Sequence, residues 1–194
     1  MTETTCGNSP PTEGLQTDIP TTTAEIEVLI ATSIWLSHRE PKPTIWRFSL
    51  AHGQGINSEV DQSTLKSALD KEGIGGDLIL SGGHGPDVTT ISSSEFWKIE
   101  CKGTGIGKKS TQRNNFDRAL ASVVSYYNAM PTTSAESVDV PREFLGLALP
   151  NSRDYRNELE RRVRRPLRRA LNLWVLLYEP TGRTIRAVSP EQDY

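Results

Sequence analysis

Apolar residues change their spacing several times along the chain, and each change marks an element. Thr22-Thr23-Ala24-Glu25 has the Thr-x-x-Glu form of a capping box. Behind it, Ile26, Leu29, Ile30, Ile34 and Trp35 recur at helical spacing on most sides, which predicts a well-buried helix. Pro41 and Pro43 break that pattern, and Thr44 to Leu50 alternates with period two, as a strand does. His52 to Asn57 reads as a loop. An amphipathic helix follows from Ser58 to Lys71, with Val60, Leu65, Ala68 and Leu69 inward and Gly73 as its stop. Asp77-Leu78-Ile79-Leu80 is an apolar strand with an aspartate at its mouth. Ser81 to Pro86 is a turn, Asp87 to Ile91 a short strand, and Ser92-Ser93-Ser94 a second turn. Connections this short carry no crossover helix, so an antiparallel meander is expected.

The next strand, Glu95 to Lys102, is the unusual one. Side chains alternate across a strand, so Trp97, Ile99 and Cys101 present an apolar face. Phe96, Lys98, Glu100 and Lys102 point the other way. A carboxylate and an ammonium about 7 Å apart stand where a buried strand would carry apolar groups. Gly103 to Ser110 leads into a helix with Phe116, Leu120, Val123, Val124 and Tyr127 inward, and Gln112 lies one turn before Phe116 on the same face. Met130 to Asp139 is a polar loop, Phe144 to Pro150 a buried strand, and a helix starts at Ser152. Pro166 is expected to kink or end that helix. Leu171 to Tyr178 is an apolar central strand and Thr184 to Val188 an edge strand. The pattern predicts an α/β domain over residues 22–194, a central mixed β-sheet flanked by helices. Residues 1–21, rich in Thr, Pro, Gly and Ser, predict a disordered tail.

Composition narrows the function classes. With 194 residues, the chain is long enough for one domain with a substantial core. Its 22 basic and 24 acidic residues nearly cancel, so net charge does not announce a nucleic-acid binder. Their distribution is uneven: Lys98 to Arg118 holds six basic residues against Glu100 and Asp117. Cys6 and Cys101 make neither a disulfide framework nor a zinc site, and His38, His52 and His84 lack metal-ligand spacing. The sequence shows no signal peptide and no membrane-length apolar run, so an intracellular, cytoplasmic protein without a membrane partner is expected. The arginines from Arg161 to Arg169 admit two readings. They are a grip on a phosphate backbone, or the solvated flanks of a buried Leu159, Val163, Leu167 stripe, balanced by Glu158 and Glu160.

Two chemistries compete around Lys102. A phosphate-binding loop needs Gly-x-x-x-x-Gly-Lys-Ser/Thr. Counting back from Gly107-Lys108, the first glycine falls on Lys102, and Lys109 stands where Ser or Thr is required. Nucleotide hydrolysis is therefore disfavoured. Phosphodiester cleavage instead requires a hard cation on carboxylates to lower the pKa of a bound water, with a lysine beside it. Asp77 or Asp87, followed by Glu100-Cys101-Lys102, supplies that set.

These residues resemble the signature of the PD-(D/E)xK superfamily, the restriction-endonuclease-like nucleases. The resemblance spans about residues 24 to 190. It implies a restriction-endonuclease-like core and a Mg²⁺- or Mn²⁺-dependent endonuclease acting on DNA, in genome defence or a mobile element. It further implies Asp77 and Glu100 as metal ligands, with the Cys101 backbone carbonyl, and Lys102 handling the water. Gln112 resembles a helix glutamine of RecB-like members, and Glu27 resembles an acid that some members carry on their first helix. Which aspartate serves stays open. Asp77 is favoured because it opens the more apolar strand; Asp87, in Pro86-Asp87, sits before a hairpin that would bring it beside Glu100. Lys108, Lys109 and Arg113 lie at a helix entry where phosphate contacts are made. Specificity would then come from the protein's own loops, a homodimer or a larger nucleoprotein complex. The alternative is a non-catalytic DNA-binding or assembly module that keeps the fold.

Overall fold

A computed structural model describes residues 22–49, 58–74, 77–81, 85–104, 109–127 and 141–194, with backbone alone at 58–61, 77–81 and 109–110. The expected tail over 1–21, the loops at His52–Asn57 and Met130–Asp139, and most of the turn after Ser81 lie outside these residues. So does Lys108.

The elements run α1 (Glu25–Ser37), β1 (Ile45–Ser49), α2 (Ser58–Lys71), β2 (Asp77–Ser81), β3 (Val88–Ile91) and β4 (Glu95–Cys101). They continue as α3 (Lys109–Ser125), β5 (Arg142–Pro150), α4 (Arg153–Arg162), α5 (Arg165–Leu171), β6 (Leu173–Glu179) and β7 (Thr184–Val188). All seven strands form one mixed sheet in the order β2-β1-β3-β4-β5-β6-β7. The α/β class with a helix-flanked mixed sheet is as expected. Its connectivity is not a simple meander. β3 and β4 do form an antiparallel hairpin, but β1 lies between β2 and β3. The helix α2 joins β1 to β2 as a parallel pair, because a crossover element between two strands allows parallel pairing that a tight turn forbids.

Side-chain alternation sorts the core into two layers. Trp97, Ile99 and Cys101 of β4 pack with Val28, Leu29 and Leu36 of α1 and Leu65 and Leu69 of α2. On the opposite face, Leu145, Leu147 and Leu149 of β5 and Val175 and Leu177 of β6 pack with Phe116, Ala119 and Val123 of α3 and Tyr155 and Leu159 of α4. β5 and β6 are covered on both faces, which explains why their sequences read as continuous apolar runs. Gly146 allows the contact with β4, since a Cβ there would come within 2.7 Å of Ile99 Cγ1.

Two helix expectations shift and a third is extended. α1 starts later than the Thr22 box: Ala24 is the cap residue and Glu27 accepts from its N–H at 2.8 Å. Alanine has no acceptor to return, so half of a capping box forms. The helix from Ser152 does end ahead of Pro166, and Pro166 in addition opens a new helix, α5. The chain breaks at Val163–Arg164 and Pro166 sits in the first turn of α5, where its missing N–H has no helical partner to lose. On α3 the inward stripe is Phe116, Ala119 and Val123, with Leu120 and Tyr126 partly buried, whereas Val124 and Tyr127 are 44% exposed. Among the described residues no helix is long and apolar enough to cross a membrane.

Candidate active site

The site is assembled where β4 runs into Gly103. β3 and β4 are antiparallel with Val88 opposite Ile99, so Asp87, one residue before β3, falls opposite Glu100. Asp87 Oδ2 accepts from the Cys101 N–H at 2.6 Å, and its own carbonyl accepts from Ser49 N at 3.1 Å. In extended backbone the N–H and C=O of one residue project to the same side. The Cys101 carbonyl therefore projects toward the Asp87 side.

Lys102 follows, its N–H held by the Ala148 carbonyl at 3.0 Å. Its Nζ lies 3.1 Å from Glu100 Oε1, 3.4 Å from Glu25 Oε1 and 3.8 Å from Asp87 Oδ2. Glu25 reaches it from α1 because the first turn of that helix rests on Gly103. A Cβ at Gly103 would stand 2.6 Å from both Glu25 N and Thr23 O, a separation no real Cβ contact permits. Thr104 completes this junction: its N–H donates to Thr23 O at 2.8 Å and its Oγ1 accepts from Thr23 N at 2.6 Å. From the opposite face, Tyr126 at the end of α3 donates to Glu100 Oε2 at 2.7 Å. Tyr155 of α4 donates to the Gly103 carbonyl at 2.8 Å.

Three carboxylates facing one ammonium cannot all be comfortable as anions. Burial pushes the Asp87 carboxyl up to about 8; Lys102 opposes that rise, and Glu100 and Glu25 add to it. Burial also raises Glu25, against the pull of Lys102. For Lys102 burial disfavours the charged form, but Asp87, Glu25 and Glu100 outweigh it and hold the ammonium protonated well above its usual range. Burial raises the Cys101 thiol as well, so it is a poor nucleophile.

Several sequence expectations change here. Asp77, the favoured metal ligand, is in register with Ile45, then Ile91, then Phe96. That places its backbone three strands across and four residues along from Glu100, on the order of 15–20 Å away. Asp87 is the aspartate that meets Glu100 and Lys102. Glu27 is exposed and caps α1; Glu25, two residues earlier, is the helix acid that points into the cluster. Gln112 is half-buried and lines a small cleft between α3 and α4 with Arg113, Asp154, Tyr155 and Glu158. It neighbours the cluster through Tyr155. Arg113 is exposed, and of Lys109 only the backbone at the start of α3 is described.

Glu25, Tyr126 and Tyr155 were not identifiable as site residues from spacing. An acid in the first helical turn is common for a local reason, its interaction with the helix dipole. Only the docking of Gly103 and the inward stripe of α3 give them partners.

The donor chemistry suits a hard cation: carboxylates on adjacent strands and a backbone carbonyl between them. The present arrangement serves an ammonium. Among the described residues no three His, Cys, Asp or Glu side chains are disposed to hold a metal ion, and the Lys102 ammonium lies at the shared focus of the carboxylates. Comparison with protein-family models, curated proteins and solved structures returns no match to this chain.

Proposed function

We propose that the protein is a metal-dependent nuclease that hydrolyses DNA phosphodiester bonds, with a core of the restriction-endonuclease-like type. The observation that carries this reading is the convergence of Asp87, Glu100 and Lys102 at the end of β4. Two carboxylates come from neighbouring antiparallel strands and the lysine lies two residues beyond the glutamate. Resemblance to the PD-(D/E)xK signature and the helix-flanked mixed sheet add to it.

Asp87, Glu100 and the Cys101 carbonyl are the groups that would hold Mg²⁺ or Mn²⁺ once the Lys102 ammonium withdraws from them. The ion would polarise the phosphate and lower the pKa of a bound water. The chain's own contribution is electrostatic and positional. Lys102 remains protonated and pairs with Glu25, so its charge stays near the developing negative charge on phosphate oxygens. The Cys101 N–H holds the Asp87 carboxylate in place. Gly103, whose carbonyl accepts from Tyr155 and whose neighbour Thr104 is bonded to Thr23, fixes where the lysine backbone leaves the sheet. Arg113 stands on the exposed face of α3 next to the Gln112 cleft, suited to a phosphate contact.

Supercoiled plasmid with Mg²⁺ tests the proposal. Nicking by the wild-type protein that is lost in both Glu100→Ala and Lys102→Ala is the expected result, while equal cutting by those variants would overturn it. Salt-sensitive binding without cleavage, unchanged in both variants, would point to the non-catalytic DNA-binding module instead.

A further inference from the structure

Glu100 has both carboxylate oxygens engaged, and the second engagement has no part in the proposal above. Oε1 faces Lys102 at 3.1 Å, and Oε2 accepts from the Tyr126 hydroxyl at 2.7 Å. The phenol is not a casual neighbour. Tyr126 closes the last turn of α3, its N–H shared between the Ser122 and Val123 carbonyls at 3.2 and 3.1 Å. Its own carbonyl accepts from Lys98 Nζ at 3.1 Å, and that ammonium also pairs with Glu143 at 2.9 Å. Lys98 precedes Glu100 by two residues on the same face of β4. The strand that carries the glutamate therefore also anchors the backbone of the residue that orients it. By contrast Tyr127, the next residue, is 44% exposed.

We infer that Tyr126 is a positioning residue for Glu100. By donating to Oε2 it fixes the carboxylate rotamer and keeps Oε1 directed at the focus now filled by the Lys102 ammonium, where a divalent cation would sit. A glutamate side chain has three rotatable bonds, and side chains of this length lose considerable rotamer freedom when fixed. A hydrogen bond to a charged acceptor that removes this freedom before the cation arrives strengthens binding through preorganisation. Lacking the phenol, Oε2 would be free to turn toward Lys102 and hold the ammonium bidentately, in competition with the cation. The inference rests on the proposed cation-dependent site.

The test has two arms, with Tyr127→Phe as a control on the neighbouring exposed ring. In metal-free protein, urea unfolding of Tyr126→Phe, Glu100→Ala and the double variant forms a double-mutant cycle. Non-additive losses are expected, and additive losses would overturn the orienting contact. In the second arm, Mn²⁺ affinity of the intact protein is read by electron paramagnetic resonance. Plasmid kinetics accompany it. Tyr126→Phe is expected to weaken Mn²⁺ binding roughly tenfold and to lower kcat with KM for DNA unchanged, since a bond to a charged group has about that effect. Tyr127→Phe should match wild type. Mn²⁺ affinity equal in wild type and Tyr126→Phe overturns the inference while leaving a cutting enzyme intact. Weakened Mn²⁺ binding in a protein that never cuts DNA supports the inference and removes the nuclease reading. No Mn²⁺ binding by wild type overturns both.

Discussion

Lys102 and Asp87 concentrate the electrostatics of the molecule into a few ångströms, and each has a consequence that a stability measurement can read. Lys102 is the only described cation among Glu25, Asp87 and Glu100 within 4 Å of all three. Lys102→Met keeps the aliphatic packing and removes the charge. Removing one partner of a buried ion pair costs about 3–5 kcal/mol, and here the carboxylates can relieve part of that by taking up protons. The expected result is a lower Tm at pH 8 than at pH 5 relative to wild type, measured by thermal denaturation at both values. Asp87 works in the opposite sense. The folded protein keeps its proton up to about pH 8, whereas the unfolded chain releases it near 3.8. The folded state therefore binds more protons across that window. This contribution to stability is complete below about pH 4 and is lost as pH rises toward 8. Asp87→Asn should flatten the pH dependence of stability over that range, followed by urea unfolding. A wild-type slope that persists in the variant would place the titration elsewhere.

At the scale of elements, two contacts decide the site: α1 against the end of β4, and the end of α3 against its face. The first depends on Gly103. Gly103→Ala inserts a methyl group 2.6 Å from the α1 backbone, so the helix start must back away and take Glu25 with it. Overpacking of this kind costs typically about 1–3 kcal/mol. If the proposed nuclease activity holds, loss of the Glu25–Lys102 pair lowers plasmid cleavage more than Glu27→Gln does, since Glu27 caps the helix. Parallel nicking assays and Tm measurements on the two variants check this. The strand itself was legible beforehand: alternation of Trp97, Ile99 and Cys101 against Lys98 and Glu100 is local, and the structure keeps it. Which aspartate faces Glu100 was not, because both Asp77 and Asp87 open apolar strands. Pairing β1 between β2 and β3 separates them, and no local pattern encodes that insertion. Helix phase was a second gap. The stripe on α3 differs by one position at its end, enough to turn Tyr126 inward and Tyr127 outward.

Across the whole molecule, most arginines of the run from Arg161 to Arg169 have acceptors within the chain, chiefly at the surface except for the buried Arg168. Arg162 pairs with Asp117 and Glu158, Arg165 with Asp193, and Arg169 with Glu191. Arg168, only 1% exposed, donates to the Ser189 and Gln192 carbonyls at 2.6 and 2.5 Å and lies over the Tyr194 ring. These residues hold the segment after β7 against α5. A side chain committed this way releases few counter-ions from DNA. Arg168→Met should therefore lower Tm by several degrees. For the proposed DNA binding, Arg165→Gln with Arg169→Gln should leave the salt dependence of affinity nearly unchanged, as read by fluorescence anisotropy over a salt series. Arg113→Gln, on the exposed face of α3, is expected to reduce that slope.

The order of strands and helices, the two-sided burial of β5 and β6, and the charged pair on β4 follow from residue spacing alone, because periodicity and apolar runs are properties of neighbours in the chain. The partners of that pair were settled only in three dimensions. Asp87 arrives through strand register, Glu25 through a close approach over Gly103, and Tyr126 through the phase of a long helix. The last two depend on contacts between residues 77 and 26 positions apart, where spacing along the chain carries no signal; the hairpin that sets Asp87 beside Glu100 was foreseeable from the turn at Ser92–Ser94, but its choice over Asp77 was not. The arginine run makes the same point in reverse: its charge is plain in the sequence, but its partners, and so its role as a strap, belong to the fold.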